Sequence, residues 1–372
     1  MSNGTLSPVK VGIIGCGNIS GIYFKAGQTF QVLDIVACAD LDISRAEAKA
    51  KEHGIPKALT PQELLDDPEI QIVINLTIPN AHFDVCKAAL LAGKHVHVEK
   101  PLSITREQGQ ELLAIAKERG LRVGCAPDTF LGGGLQTCRK LIDDGWIGEP
   151  IAATAFMLCH GHESWHPDPE FYYKAGGGPM FDMGPYYLTA LVSLMGPIRS
   201  VMGSTRVTFP ERTITSQPKY GTKVVVDVPT HVSGIMNFAN GAIGTITTSF
   251  DVWSHQHSCI EIYGTEGSMM VPDPNGFGGT VSVRRMGASE WTNIPLSHGF
   301  AENSRGIGVA DIAYAIQSGR PHRCSGELAY HVLEAMHAFH ISSDTRSLYE
   351  MESTCVRPAA LPMGLPKDAL DA

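Results

Sequence analysis

Along the first 125 residues, short apolar runs alternate with stretches in which apolar residues recur every three or four positions. Val9–Gly15 is apolar and ends in glycine, the pattern of a strand buried on both faces of a parallel sheet. Helical spacing follows over Asn18–Phe30. Val32–Ala39 is a second β-rich run, closed by Asp40. Asp42–His53 predicts a helix capped by Asp42 and stopped by Gly54. Ile70–Thr77 predicts another strand. Asn80–Ala92 predicts a helix with Asn80 as N-cap and Gly93 as its stop. His95–Val98, Thr105–Arg119 and Leu121–Cys125 continue as strand, helix and strand. Strands alternating with helices predict βαβ units and a parallel sheet.

The pattern changes after Pro127. Gly132–Gly145 and Met180–Met195 read as helices, and from about Arg199 strands follow one another through turns. Asn240-Gly241 separates the alternating runs Val232–Ala239 and Ala242–Phe250, a strong hairpin signal. Ser258–Tyr263 and Thr280–Arg285 extend the series. Gly306–Ser318 and Gly326–Ser343 are helical again, and Pro358–Ala372 reads as an extended tail. The expected fold class is an α/β Rossmann domain with a parallel sheet, followed by an α+β domain with an open, mostly antiparallel sheet. The expected boundaries are 1–127, 128–345 and a C-terminal extension over 346–372.

Composition narrows the class. The 372 residues are 43% hydrophobic and 18% charged, the balance of a soluble globular protein of about two domains. A net charge of −9 argues against a nucleic-acid partner, which needs a basic footprint. The nine cysteines form no Cys-x-x-Cys pair and are odd in number, which predicts buried free thiols in a reducing compartment. Met1–Lys10 holds no apolar core of signal-peptide length, and no apolar run is long enough to span a membrane. A cytoplasmic protein without a membrane partner is expected.

Three motifs carry chemistry. Gly15-Cys16-Gly17-Asn18-Ile19-Ser20 sits where a strand hands over to a helix. Gly15 permits the tight turn, Gly17 allows close approach of a pyrophosphate, and the helix start offers free N–H groups to that anion. Ser20, followed by Gly21, stands where a third small residue packs helix on strand. Asp40 ends the second strand, placed to accept from ribose hydroxyls and to repel the extra phosphate of NADP. The expected cofactor is therefore NAD in preference to NADP. Glu99-Lys100-Pro101 follows a strand whose carboxyl end faces the ligand crevice of an open α/β sheet, so Lys100 is placed to hold a substrate hydroxyl. Gly176-Gly177-Gly178 leads into a helix on which Asp182 and Tyr186, four residues apart, share one face as a candidate proton-transfer pair. Each motif alone also has a plain structural explanation as a turn, a strand end or a capped helix.

With these pieces in order, the chain resembles the glucose–fructose oxidoreductase/inositol dehydrogenase (Gfo/Idh/MocA) family from about residue 9 to about residue 345. The matching pieces are Gly15-x-Gly17, Asp40, Thr77-Ile78-Pro79-Asn80 with His82, Ala92-Gly93-Lys94-His95-Val96 leading to Glu99-Lys100-Pro101, and Gly176–Gly178 with Asp182. The resemblance implies a Rossmann domain, a second domain on an open sheet that forms oligomer interfaces, and a homo-oligomer of two, four or more chains. It implies NAD-dependent oxidation of a sugar, glycoside or inositol hydroxyl. It also implies Lys100 and Asp182 as the catalytic pair, with Gly15, Gly17, Asn18, Ile19, Asp40, Thr77, Pro79, His82 and Glu99 lining the cofactor. The chain departs from the family twice. Tyr186 stands where many members carry a histidine base, and Pro127-Asp128-Thr129-Phe130 replaces an Asn- or Gln-Arg pair. A tyrosine in that place keeps open a second reaction, redox-neutral cleavage of a glycoside through transient oxidation, C–H proton abstraction and elimination. A cofactor-sensing or scaffold protein is the non-enzymatic alternative.

Cys159-His160-Gly161-His162-Glu163-Ser164-Trp165-His166 contains metal-ligand residue types. We read it instead as a substrate-facing loop, with Asp128, His160, His162, Trp165, His166 and Tyr173 as sugar contacts and no metal. A plain structural loop is the next reading. Arg305 opens a glycine-containing helix, either as a contact for an anionic substrate group or as an ordinary surface helix start.

Overall fold

The computed structural model describes residues 7–371. They divide into two compact units. The first runs through Gly133 and is rejoined by Ser297–Tyr330 and by the chain from Pro358 onward; the second comprises Gly134–Leu296 and His331–Arg357.

The first unit is built on six parallel strands: β1 (Val9–Ile14), β2 (Leu33–Ala39), β3 (Lys57–Leu59), β4 (Ile72–Asn75), β5 (His95–Val98) and β6 (Val123–Cys125). Their order is β3-β2-β1-β4-β5-β6. This is the doubly wound order of a dinucleotide-binding sheet, and its direction of winding reverses between β1 and β4. β3 and the short helix Pro61–Asp66 escape the hydrophobic pattern, because three half-buried residues are too few to show a period. The helix Ile43–His53 begins as predicted, with the Asp42 carboxylate accepting from the Ser44 N–H at 3.1 Å, and Gly54 closes it in the left-handed region. The next prediction needs correction. Asn80 is not an N-cap. The helix runs Pro79–Leu91, with Pro79 in its first turn, where a missing N–H costs nothing.

The second unit carries a nine-stranded sheet. Its members in chain order are β7 (Pro150–Leu158), β8 (Ile198–Arg206), β11 (His231–Phe238), β12 (Ile243–Ser249), β13 (Ile260–Gly264), β14 (Gly267–Val271), β15 (Val281–Arg285), β16 (Thr292–Ile294) and β17 (Tyr349–Glu350), while β9 (Glu211–Thr213) and β10 (Lys223–Val225) pair as a separate ribbon. Only β7 and β12 run parallel; every other pairing is antiparallel. The β11–β12 hairpin turns at Asn240-Gly241, with Gly241 at φ 91°. On the buried face, Gly203 of β8 lies opposite Gly234 of β11. A Cβ on either would come within 2.4–2.7 Å of Phe339, so these glycines let the long helix Gly326–Thr345 press its Phe339 onto the sheet.

The predicted helix Met180–Met195 is two helices, Pro179–Asp182 and Gly184–Met195. Pro185 has no N–H to give to a carbonyl one turn back, so the ladder breaks at Met183. Asp182 and Tyr186 therefore do not share one continuous helical face. All nine cysteines are free thiols, six of them buried. No helix among the described residues is long and apolar enough to cross a membrane.

Candidate active site

In the first unit, the predicted cofactor residues gather at the carboxyl ends of β1, β2, β4 and β5. Gly15 adopts φ 103°, and a Cβ there would lie 2.7 Å from the Leu76 backbone carbon, so only glycine closes this turn. A Cβ at Gly17 would meet nothing within 4 Å, which leaves its backbone open to an approaching ligand. The helix Ser20–Thr29 starts with no side-chain cap and with Asn18 exposed before it. The positive end of the helix dipole lies at this start, where the Ser20 and Ile22 N–H groups donate to the Gly17 and Ile19 carbonyls. Asp40 is fixed at the end of β2, one oxygen accepting from the Cys16 N–H at 2.8 Å and the other from the Asp42 N–H at 3.0 Å. Each oxygen keeps a lone pair for a ribose hydroxyl. Beside these polar groups stand bare apolar ones: Leu41 is 97% exposed, Ile78 68% and Ile19 39%. Large apolar side chains at strand ends of a crevice suit the flat faces of adenine and nicotinamide. Cradle, carboxylate and apolar walls together fit NAD.

Asn75, which the sequence pattern does not single out, organises the β4 end. It is wholly buried; its carboxamide oxygen accepts from Thr77 Oγ1 at 2.6 Å, and its nitrogen donates to the His82 carbonyl. A polar residue closing a buried apolar strand is the signal that marks it. Glu99 accepts from the Tyr23 hydroxyl at 2.7 Å and from the Lys100 N–H at 3.1 Å, so its carboxylate fixes the loop that presents Lys100. His82 and Asp128 occupy the interior. His82 reaches the carbonyls of Pro101 and Thr77 through its two ring nitrogens. Asp128 accepts from the N–H groups of Gly306 and Gly308 at the start of the helix Ile307–Ser318. Burial pushes the Asp128 carboxyl up to about 6, against the pull of those two N–H groups. Arg305, just before that helix, is half-buried, and its Nη1 donates to the Asn303 side chain at 3.1 Å.

In the second unit, the histidines of the 159–166 stretch diverge instead of converging on a point. His160 stacks on Trp253, with ring centroids 3.4 Å apart. His162 is wedged edge-on among Trp165, Tyr172 and Phe250, and its Nε2 lies 3.3 Å from Asp182 Oδ2. His166 accepts from the Asp168 N–H through Nδ1. Tyr173 is fully buried, its hydroxyl donated to Glu163. Glu163 in turn receives Arg212 Nη1 at 2.6 Å, while Arg212 Nη2 holds the Phe250 carbonyl and Asp251. Burial would raise Glu163, but Tyr173 and Arg212 outweigh it and hold the carboxyl below its ordinary range. Burial, then Glu163, pushes the Tyr173 phenol well above its ordinary value. Tyr186 is buried in a helix whose residues are all buried. Sequence reading misses Arg212 and Asp251, since they lie 49 and 88 positions from Glu163 with no local pattern joining them.

Comparison with known proteins places the fold and the family. Residues 9–126 match the family model of the oxidoreductase family with an NAD-binding Rossmann fold, and residues 135–270 match that of the GFO/IDH/MocA C-terminal domain. The uncharacterized oxidoreductase YdgJ of Escherichia coli is 29% identical over half of this chain, and the match spans about half of that relative, 54%. The 1,5-anhydro-D-fructose reductase of Ensifer adhaerens is 29% identical over 77% of this chain and 82% of its own. Among solved structures, a levoglucosan dehydrogenase in complex with NADH superposes with a TM-score of 0.80 at 22% identity, covering 93% of this chain and all of that one, a likeness of fold. The two family models together cover more than half of the chain, which therefore belongs to the Gfo/Idh/MocA family of oxidoreductases and carries an NAD-binding Rossmann domain in its first unit.

Proposed function

We propose that the protein oxidises a hydroxyl of a sugar, glycoside or inositol. The observation that carries this reading is Lys100, presented at the carboxyl end of β5 by the Glu99–Tyr23 contact in a sheet whose other strand ends fit NAD. Relatives named as a 1,5-anhydro-D-fructose reductase and a levoglucosan dehydrogenase support the carbohydrate class. Bound NAD⁺ supplies a hydride acceptor. Lys100 holds the substrate hydroxyl and lowers its proton affinity, because an ammonium favours the developing alkoxide. Asp182, or Tyr186 as its phenolate, receives the proton, with His162 orienting the Asp182 carboxylate. Trp165 and His166, on the half-open aromatic loop, contact the sugar. Asp40 selects NAD over NADP, since a second phosphate beside a carboxylate is repelled. The compartment in this reading is the cytoplasm. The assembly is a homo-oligomer, for which Met202, Ile235 and Ile243 offer apolar surface on the open face of the nine-stranded sheet.

The test is absorbance of NADH formed from NAD⁺ with a panel of sugars, methyl glycosides and inositols. Turnover is expected with at least one; none with any carbohydrate removes the reading. Tyr186 in place of histidine favours the second reading, NAD-requiring cleavage of a glycoside. Release of aglycone without net NADH would select it.

A further inference from the structure

Away from the Asp182 carboxylate, the second unit holds a half-open cavity of about 510 Å³, within the range of roughly 300–1,000 Å³ typical of small-molecule sites. Its walls include His160, Glu163, Phe209, Arg212, Thr213 and Trp253. One wall is a flat aromatic platform, His160 stacked on Trp253 at an interplanar angle of 15°, with Phe209 edge-on to His160. Trp253 is 82% exposed, a large apolar face left to water. The opposite character comes from Arg212, 5% exposed. Two of its nitrogens are satisfied by Glu163, Asp251 and the Phe250 carbonyl, but Nε has no hydrogen-bond partner among the described residues, and neither has the buried His160 Nδ1. Both atoms are shut off from the cavity, so the polar surface offered to a ligand comes from Glu163, Glu211, Thr213 and Thr215, which line it beside Arg212.

The chemistry of the walls specifies the ligand. Glu163 and Glu211 line the cavity beside Arg212, so a phosphate or carboxylate would meet like charge. An aliphatic ligand would leave the carboxylates and threonine hydroxyls of the wall unmatched. A neutral ring with one apolar face and a rim of hydroxyls satisfies both the platform and the polar wall. The chain order adds a direction: His160 and Glu163 line the cavity, while His162 between them turns to Asp182. We propose that this cavity binds a non-reacting pyranose ring of the substrate, laid on the exposed Trp253 with its hydroxyls against the Glu163, Glu211 and Thr213 wall. The substrate is then a disaccharide or larger glycoside, and the cavity sets its preference over single sugars. This rests on the carbohydrate reading above.

The experiment compares methyl pyranosides with the matching disaccharides on the full chain with NAD⁺, for the wild type, Trp253→Ala and Trp253→Phe. The wild type should show a KM about tenfold lower for the disaccharide. Trp253→Ala should abolish that advantage while kcat and the methyl pyranoside constants stay unchanged, and Trp253→Phe should keep most of it. Equal KM values in the wild type, or an advantage that survives Trp253→Ala, overturn the proposal and leave the dehydrogenase reading standing. Saturation-transfer NMR of the disaccharide on the NAD-loaded protein decides the cavity without turnover. A signal lost in Trp253→Ala supports it even where no sugar is oxidised, and no signal in the wild type, or one that Trp253→Ala leaves intact, overturns it.

Discussion

His82 Nδ1 lies 2.7 Å from the Pro101 carbonyl oxygen, and its Nε2 lies 3.0 Å from that of Thr77. One buried ring thus ties the loop after β4 to the loop after β5, the two that present Thr77 and Lys100. Burial pulls its pKa down more than the two carbonyls and Glu99 push it up, so the ring is neutral and donates to one carbonyl at a time. With His82 1% exposed, we propose that its effect on the cofactor passes through these loops. His82→Phe should weaken NADH binding about tenfold and cost roughly 1–3 kcal/mol of stability. Fluorescence titration with NADH and thermal melts check both. Lost stability with unchanged NADH affinity would reduce His82 to a packing residue.

Lys100→Met should lower kcat/KM by about two to four orders of magnitude, the usual range for removing a positioned acid–base group. Glu99 keeps its Tyr23 partner in this variant, so NADH affinity should hold. A loss of cofactor affinity equal to the loss of kcat/KM would move Lys100 from the chemistry to the cradle.

Asp40→Ser removes the carboxylate but leaves a hydroxyl near the Cys16 N–H. Affinity for NAD⁺ should fall about tenfold, or roughly 1.4 kcal/mol, while affinity for NADP⁺ rises as the like charge is removed. Steady-state kinetics with both cofactors measure the ratio. An unchanged ratio would show that Asp40 serves only the turn.

Why some of this was legible beforehand and some was not follows from range. The Gly15 turn, Asp42 cap and Asn240-Gly241 hairpin are written in neighbouring residues, because φ > 0 and capping are local demands. The parallel sheet of the first unit follows from alternation of periods, except for β3, which is too short to show one. What stayed hidden depends on partners distant in the chain. Asp128 reads as a substrate contact in the sequence, yet it is buried, with Oδ2 accepting from Gly306 and Gly308, 178 and 180 positions away. Tyr173 looked like a sugar-stacking residue, yet Glu163 and Arg212 hold it inside. The break at Met183 was legible in Gly184-Pro185, but an unbroken apolar pattern from Met180 to Met195 masked it.

Asp128 also gives a pH dependence with a definite sign. Its carboxyl is 1% exposed and its pKa is raised from 3.8 to about 6, chiefly by burial. A raised folded-state pKa means the folded protein favours the proton. Stability from this group is complete below about pH 4 and is lost as the pH climbs through about 6. Each tenfold gain in proton affinity is worth about 1.4 kcal/mol, so a rise of this size means a loss of about 3 kcal/mol across that window. Asp128→Asn does not titrate, and its carboxamide oxygen can still accept from Gly306 and Gly308. The stability of the wild type minus that of Asp128→Asn, from urea unfolding at a series of pH values, should therefore fall by about 3 kcal/mol between pH 4 and pH 7. Taking the difference cancels the titration of groups that do not interact with Asp128. A flat difference would mean that the carboxylate is as well solvated in the folded protein as in water, and a difference that rises with pH would mean that the Gly306 and Gly308 N–H groups outweigh burial.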